Sequence, residues 1–183
     1  MRIIAGSLKG RRLRSPGWPG LRPTSDRLRE TLFNVLGERV RGADVLDACA
    51  GTGALGLEAL SRGARAVTFV DADRRSAKYI ADHAARFGVA DSCRIVCARL
   101  PGAAADRRLA AAFDVILLDP PYDNSDTDAI LSAVGARLAA GGVLVLERAR
   151  RAAPPAVEGL TAARCVVAGD SALEFYVPAV AGG

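Results

Sequence analysis

At 183 residues, half of them hydrophobic and only 5% aromatic, the chain suits one domain, with a core of Val, Leu, Ile and Ala that buries roughly 70% of the extended-chain surface. No apolar run approaches the ~20 residues of a membrane span and Met1-Arg-Ile-Ile does not open a signal peptide, so a cytoplasmic protein is expected. The net charge of +5 is unevenly placed: residues 1–41 hold ten Lys/Arg against three acids, the remainder 15 against 17, which marks the N-terminal segment as a polyanion-binding face.

In chain order, Arg2-Ile-Ile and Gly10-Arg-Arg-Leu13 are expected to pair as a small ribbon, followed by a loop through Pro16, Pro19 and Pro23 that carries Trp18. Thr24 or Ser25 caps a helix over residues 26–40, in which Leu28, Leu32, Val35 and Leu36 share one face. From Asp44 onward, β-rich runs alternate with helical ones. Strands are expected at 44–47, 66–71, 94–97, 113–119 and 143–147. Helices are expected at 54–62, 74–87 and 127–138, with a weak one near 103–111 and Gly141-Gly142 ending the last. Such alternation argues for an α/β fold, a doubly wound parallel sheet covered by helices, with the apolar run at 113–119 as a central strand. The tail differs: 164–168 and 171–177 flank Gly169-Asp170 and read as an antiparallel hairpin closing one sheet edge. The expected organisation is a basic N-terminal extension at 1–41 packed on a core domain at 42–183.

Some chemistries find no support. The four cysteines, Cys49, Cys93, Cys97 and Cys165, form no CxxC pair, so zinc is not expected, and no metal is. The single histidine, His83, lies in a polar helical stretch, which leaves Ser-His-Asp hydrolysis and HExxH metal sites without their parts.

Two motifs carry positive information. In Asp47-Ala-Cys-Ala-Gly51-Thr-Gly53-Ala-Leu-Gly56 a strand end passes into a helix through glycines that permit positive φ and close approach of a ligand to the backbone. A phosphate loop would want a lysine after the glycines; here Ala54-Leu-Gly follows, and Glu58 adds an acid. A carboxylate at Asp47 suits a cationic amino-acid group, and Asp71, ending the next strand, suits two ribose hydroxyls. The second motif, Asp119-Pro120-Pro121-Tyr122, offers acceptors for the protons of a planar amine and a ring face to hold the base flat. Together they favour S-adenosyl-L-methionine over NAD or ATP, and methyl transfer onto an exocyclic amine.

With these residues the chain resembles the class I S-adenosylmethionine-dependent methyltransferases, and more narrowly the RsmD family of bacterial 16S rRNA (guanine-N2)-methyltransferases. The resemblance extends over Arg2-Ile-Ile-Ala-Gly6, Lys9-Gly-Arg-Arg-Leu13, the run from Leu21 to Asn34, Gly51 to Gly63, Asp119-Pro-Pro-Tyr122 and the terminal Gly169 to Tyr176. It implies a seven-stranded, mostly parallel Rossmann-like sheet with S-adenosyl-L-methionine held by Asp47, Gly51, Gly53 and Asp71. It also implies methylation of guanine N2 in 16S rRNA or a small-subunit assembly particle, with Asp119, Pro120 and Tyr122 at the reacting base. One departure stands out: after the third strand, Val96-Cys-Ala-Arg-Leu-Pro101 lacks the acidic or amide residue that many members aim at the adenine amino group. Adenine recognition then falls to backbone groups and apolar packing.

For RNA, Arg11, Arg12, Arg22 and Arg27 are the expected phosphate contacts. Arg27 and Arg29, two apart, cannot share a helix face, so one of them is expected to be structural, paired with Asp26 or Glu30. Thr24, Glu30 and Asn34 are candidate pocket residues. Two competing readings are a DNA adenine-N6 methyltransferase, for which the chain lacks a target-recognition domain, and an RNA-binding assembly factor with an inactive cofactor site. A monomer is favoured.

Overall fold

The computed structural model describes residues 1–14, 25–107, 109, 112–121 and 126–179. Trp18, Arg22, Thr24 and Tyr122 lie outside the described residues. Helix α1 (Asp26–Leu36) begins where Ser25, extended, accepts the Leu28 N–H on its hydroxyl at 3.1 Å, a cap worth about 1 kcal/mol. It stops at Gly37, whose φ is 53°, and a 3-10 turn over Gly37–Val40 takes its place. The helix expected over 26–40 is thus split at its only glycine.

Seven strands follow: β1 (Asp44–Ala48), β2 (Ala66–Asp71), β3 (Cys93–Cys97), β4 (Phe113–Leu118), β5 (Leu138–Ala149), β6 (Leu160–Ala168) and β7 (Ser171–Pro178). They form one sheet in the order β3-β2-β1-β4-β5-β7-β6, parallel from β3 through β5, with β7 antiparallel to both β5 and β6. The doubly wound sheet and terminal hairpin expected from the sequence are both present. Between β1 and β4 the direction of winding reverses, and that is where such sheets open a crevice at their carboxyl ends.

Alternation along each strand sorts the core into two layers. One face, with Val45, Val67, Phe69, Val115 and Leu117, packs against α1, α2 (Ala54–Ser61) and the inner side of α3 (Arg74–Phe87). The other, with Leu46, Val70, Ile116, Leu118 and Leu144, packs against α4 (Thr127–Gly135) and against Leu100, Ala103, Ala104 and Leu109. Each fully buried Leu, Ile or Phe contributes about 1.5–3 kcal/mol relative to exposure. All eight residues of α2 are buried, so this helix is covered on its outer side as well.

The cover is the N-terminal segment. Its expected ribbon exists as a single antiparallel bridge, Arg2 to Arg12, with Ile3 N donating to Arg11 O at 2.9 Å and Leu13 N to Met1 O at 3.2 Å. Glu58 of α2, fully buried, accepts the N–H groups of Ile4 (2.7 Å) and Ala5 (3.0 Å) and the Arg62 Nε–H (2.8 Å). Ser61 accepts Leu8 N–H on its hydroxyl at 2.9 Å and donates to Ala5 O. A Cβ at Gly6, φ 82°, would lie 1.8 Å from Ser61 O, so only glycine lets the strap lie this close. Arg29, at 0% exposure, ties α1 to the strap by donating to Arg2 O (2.7 Å) and Asp26 (2.8 Å). Of the two arginines that cannot share a face, Arg29 is therefore the structural one and Asp26 its partner.

Two expected elements differ. Where a helix is expected near 103–111, the described residues show a 3-10 turn over Gly102–Ala105 that packs Ala103 and Ala104 into the core, and residues 108, 110 and 111 lie outside the described residues. The helix expected to run to Leu138 ends at Gly135, and β5 starts at Leu138, so Gly141-Gly142 lie within a strand. There the pairing jumps from Phe113–Leu138 to Val115–Val143. Gly141 has φ 77°, and a Cβ on Gly142 would meet Asp114 O at 3.0 Å. The glycines make a bulge rather than a helix stop.

Candidate active site at the central strand ends

The loop after β1 is unusually bent. Cys49, Gly51 and Gly53 all have left-handed backbone, with φ of 61°, 54° and 68°. For Cys49, which has a Cβ, that costs about 1–2 kcal/mol. Backbone bonds hold the curl: Ala50 N donates to Val70 O at 3.0 Å and Gly53 N to Ala50 O at 2.7 Å. A side chain on Gly53 would drive into Ile80 Cγ1 at 2.8 Å, and one on Gly56 into the Phe69 ring at 2.2 Å. The glycines thus serve turn geometry and close helix–strand packing.

Gly53 caps α2 with no side chain to offer. Asp47 takes over that duty from the end of β1: its Oδ2 accepts the Gly56 N–H at 2.8 Å, inside the first turn of α2. Asp47 is 1% exposed. Burial pushes its pKa well above the ordinary carboxylate value, against the Gly56 hydrogen bond, and the charges of Asp119 and Asp71 push the same way. Asp71 is half-buried; its Oδ2 accepts the Gly51 N–H at 2.7 Å and its Oδ1 the Asp73 N–H at 2.8 Å. Each oxygen retains a second lone pair for a hydroxyl. Asp119, just beyond β4, donates its N–H to Ala48 O at 3.5 Å and is half-buried, while Pro120 is buried and Pro121 exposed.

The sequence-predicted Asp47, Gly51, Gly53, Asp71, Asp119 and Pro120 therefore converge at the winding reversal. The field there is negative: the Cys49 thiol is pushed up to about 12 by burial and by Asp71, Asp119 and Asp47 in turn. Between Asp47 and Leu57 the chain has no Lys or Arg. Such a cradle repels pyrophosphate and suits a ligand with cationic groups and vicinal hydroxyls. S-adenosyl-L-methionine, with a sulfonium, an ammonium and a ribose, fits this donor set. Among the described residues no cluster of His, Cys, Asp and Glu is built to hold a metal ion, and no helix is long and apolar enough to cross a membrane.

The predicted RNA-facing residues sit elsewhere. Arg11 and Arg12 are exposed on the strap where it crosses α3, and Arg27 is exposed on α1. Glu30 and Asn34 are exposed on α1 as well. His83, read as part of a polar stretch, is buried: its Nε2 accepts the Arg14 N–H at 3.1 Å, and its Nδ1 lies 2.8 Å from Tyr79 O. It is the neutral Nδ1–H tautomer that satisfies both bonds. The sequence reading missed Glu58 and Ser61 as strap anchors; the available signal was an acid inside an otherwise apolar helix. It also missed Glu147, which lies near the end of β5, is buried and accepts the Ser171 hydroxyl at 3.1 Å. Glu147 borders a cavity of about 10 Å³ among Leu32, Leu55, Leu117 and Leu173, room for one water and not for a base.

Comparison with known proteins bears on this geometry. A family described as Conserved hypothetical protein 95 matches residues 1–177. The chain is 41% identical over 122 residues to the "Ribosomal RNA small subunit methyltransferase D" of Escherichia coli K12, a match spanning 67% of this chain and 60% of that protein. It is 34% identical over 164 residues to the "Putative rRNA methyltransferase YlbH" of Bacillus subtilis, covering 87% of this chain and 88% of that one. Among solved structures, the "Putative methyltransferase yhhF" from Escherichia coli superposes with a TM-score of 0.85 at 33% identity, covering 97% of each chain.

Proposed function

The chain belongs to the family described as Conserved hypothetical protein 95, the RsmD family with its class I methyltransferase fold, and on that premise we propose that it transfers the methyl group of S-adenosyl-L-methionine to the exocyclic N2 of one guanine in 16S rRNA. The substrate is the rRNA itself or a small-subunit assembly particle, met in the cytoplasm. The observation that carries this reading is the convergence of Asp47, Asp71 and Asp119-Pro120 at the switch point, in a field that suits a cation. The names of the relatives supply the substrate class, rRNA.

When bound, the cofactor supplies an electrophilic methyl on a sulfonium. Asp71 takes the ribose hydroxyls, its position fixed by the Gly51 and Asp73 N–H groups. Asp47 faces the cationic end, and Gly51 and Gly53 let the backbone approach. The guanine amine is a poor nucleophile because its lone pair is delocalised into the ring. Asp119 and the Pro120 carbonyl accept its two N–H bonds, favour pyramidal nitrogen and aim the lone pair. The proton released as the new C–N bond forms is already hydrogen-bonded to the Asp119 carboxylate. Positioning of this kind can supply about 7–11 kcal/mol of a barrier. Tyr122 stacks on the base, a contact worth ~1–3 kcal/mol. Residues 1–41 act as the RNA-binding extension, through Arg11, Arg12, Arg22 and Arg27, and 42–183 as the catalytic domain.

The test is single-turnover methylation of 16S rRNA and of small-subunit particles, with the product nucleosides separated. N2-methylguanosine is the expected product. N6-methyladenosine would transfer the chain to the DNA-type alternative. Cofactor binding or its absence, with no methyl incorporated into either substrate, would favour the assembly-factor reading.

A further inference from the structure

Helix α3 carries an aromatic spine on which the strap is laid. Tyr79, His83 and Phe87 recur every four residues, with ring centroids 4.2 Å and 5.7 Å apart. Tyr79 donates its hydroxyl to Arg14 O, His83 accepts the Arg14 N–H, and Arg86 donates to Arg12 O. The Arg86 guanidinium lies 5.1 Å from the Phe87 centroid, and that of Arg11 lies 5.8 Å from the same ring. Two guanidinium groups thus share one aromatic ring, and Arg11, Arg12, Arg14 and Arg86 are all exposed.

Like charges gathered on one ring repel one another unless an anion sits between them. The acids nearest along α3 are already engaged: Asp82 with Lys78 at 3.1 Å, and Asp73 with Arg75 at 2.6 Å. A cation near a helix C-terminus is stabilised by the helix dipole, and that accounts for Arg86 alone. It does not account for bringing Arg11 to the same ring from the far end of the strap.

We propose that Arg86 completes, with Arg11 and Arg12, a phosphate-binding platform for RNA at the C-terminal end of α3. The inference rests on the proposed rRNA methyltransferase reading and extends it to a helix outside the basic N-terminal segment. Its geometry has a consequence for the substrate. Helix α3 begins just after Asp73, at the cofactor end of β2. Arg86 lies twelve residues beyond Arg74, about 18 Å along the axis at 1.5 Å per residue. The reacting base and the platform therefore sit at opposite ends of the helix. The RNA backbone must extend at least that far past the target nucleotide. Recognition at the platform is of backbone, not sequence: planar forks on an aromatic ring suit phosphate oxygens.

Salt-dependent binding of a 16S rRNA transcript tests this with Arg86→Gln, Arg86→Lys and Arg151→Ala. Glutamine keeps a donor for Arg12 O and removes the charge; lysine keeps the charge. Arg86→Gln is expected to lower the slope of log K against log salt by ~0.9 if the contacted RNA is duplex and ~0.7 if single-stranded. Arg86→Lys should keep the slope, Arg151→Ala, exposed just after β5 and three strands from β2, should match wild type, and affinity for S-adenosyl-L-methionine should not move in any variant. A wild-type slope in Arg86→Gln overturns the platform and leaves Arg86 a strap anchor. A wild-type protein that binds the transcript with no salt dependence overturns the RNA reading itself, a different result from the same titrations.

Discussion

The two ends of helix α3 are held by opposite charge, and the charge is held in opposite ways. At the end proposed to hold the cofactor, Asp47, Asp71 and Asp119 are buried or half-buried; Asp47 is fixed by the Gly56 N–H in the first turn of α2, and Asp71 by N–H groups of the β1–α2 and β2–α3 loops. At the strap end, Arg11, Arg12 and Arg86 are exposed and lie against an aromatic ring and the strap backbone. The first arrangement is held by fixed hydrogen bonds, which suits the small ligand proposed for it. The second is solvated, which suits the long polyanion proposed for it. Between them, the buried Glu58 and Ser61 fasten the strap to the helix whose first turn forms the cradle, so the two regions share one frame.

Breaking that frame should cost most. Glu58→Ala removes a buried carboxylate from two backbone donors and from Arg62, and removing one member of such a group costs about 3–5 kcal/mol. A fall in Tm of roughly 6–20 °C is expected for a chain of this size, read by thermal unfolding. A shift under 2 °C would mean that the strap contributes nothing to stability. Next is chemistry at the cofactor end. Asp119→Ala should leave fold and cofactor affinity intact while the single-turnover methylation rate falls by ~10²-fold or more; an unchanged rate would remove Asp119 from the mechanism. Asp71→Ala sharpens the contrast from the binding side. Loss of a charged acceptor costs about 1.5–3 kcal/mol per bond, so S-adenosyl-L-methionine affinity should drop by ten-fold or more in calorimetry with RNA binding unchanged. Equal losses for both ligands would deny that the two ends are separate.

The smallest effect concerns His83, which fastens Arg14 at the strap end. Burial lowers its pKa below 6.5, and Arg86 and Arg14 add to that against the Tyr79 hydrogen bond. The unfolded chain therefore binds the proton more readily than the folded one in the window from the depressed value up to 6.5. Stability contributed by neutral His83 is complete above 6.5 and is lost as pH falls through that window. Thermal melts from pH 7.5 to 5 should show this slope in wild type and less of it in His83→Gln. Parallel profiles would assign the acid sensitivity elsewhere.

The cofactor end was far more legible in the sequence than the strap end. Asp47, the glycines, Asp71 and Asp119 follow from strand ends and turns, where a residue's place depends on a few neighbours. Strand β2 and helix α3 appear with the expected bounds because their hydrophobic periods and the Asp73 and Gly88 caps are local too. The strap is different. Its bonds to α2 join residues 53 to 56 positions apart, and an acid in an apolar helix does not by itself reveal that Glu58 faces Ile4. Arg27 and Arg29 could be separated as unlike, but only the packed fold says which is buried. The start of β5 was misread for the same reason: Gly141-Gly142 signals a break, and the neighbouring strand decides whether a helix or a bulge results.

The outer strand β6 bears on how the protein behaves at concentration. It is nine residues long, last in the sheet, and carries Val167 at 51% exposure, features that invite a strand from another chain to dock edge-on. Its pairing with β7 slips between Ala162 and Arg164, which bends the ribbon and sets a guanidinium beside the interruption. A second copy meeting this rim finds no flat nine-residue ladder to extend, and an irregular edge of this kind hinders edge-on pairing.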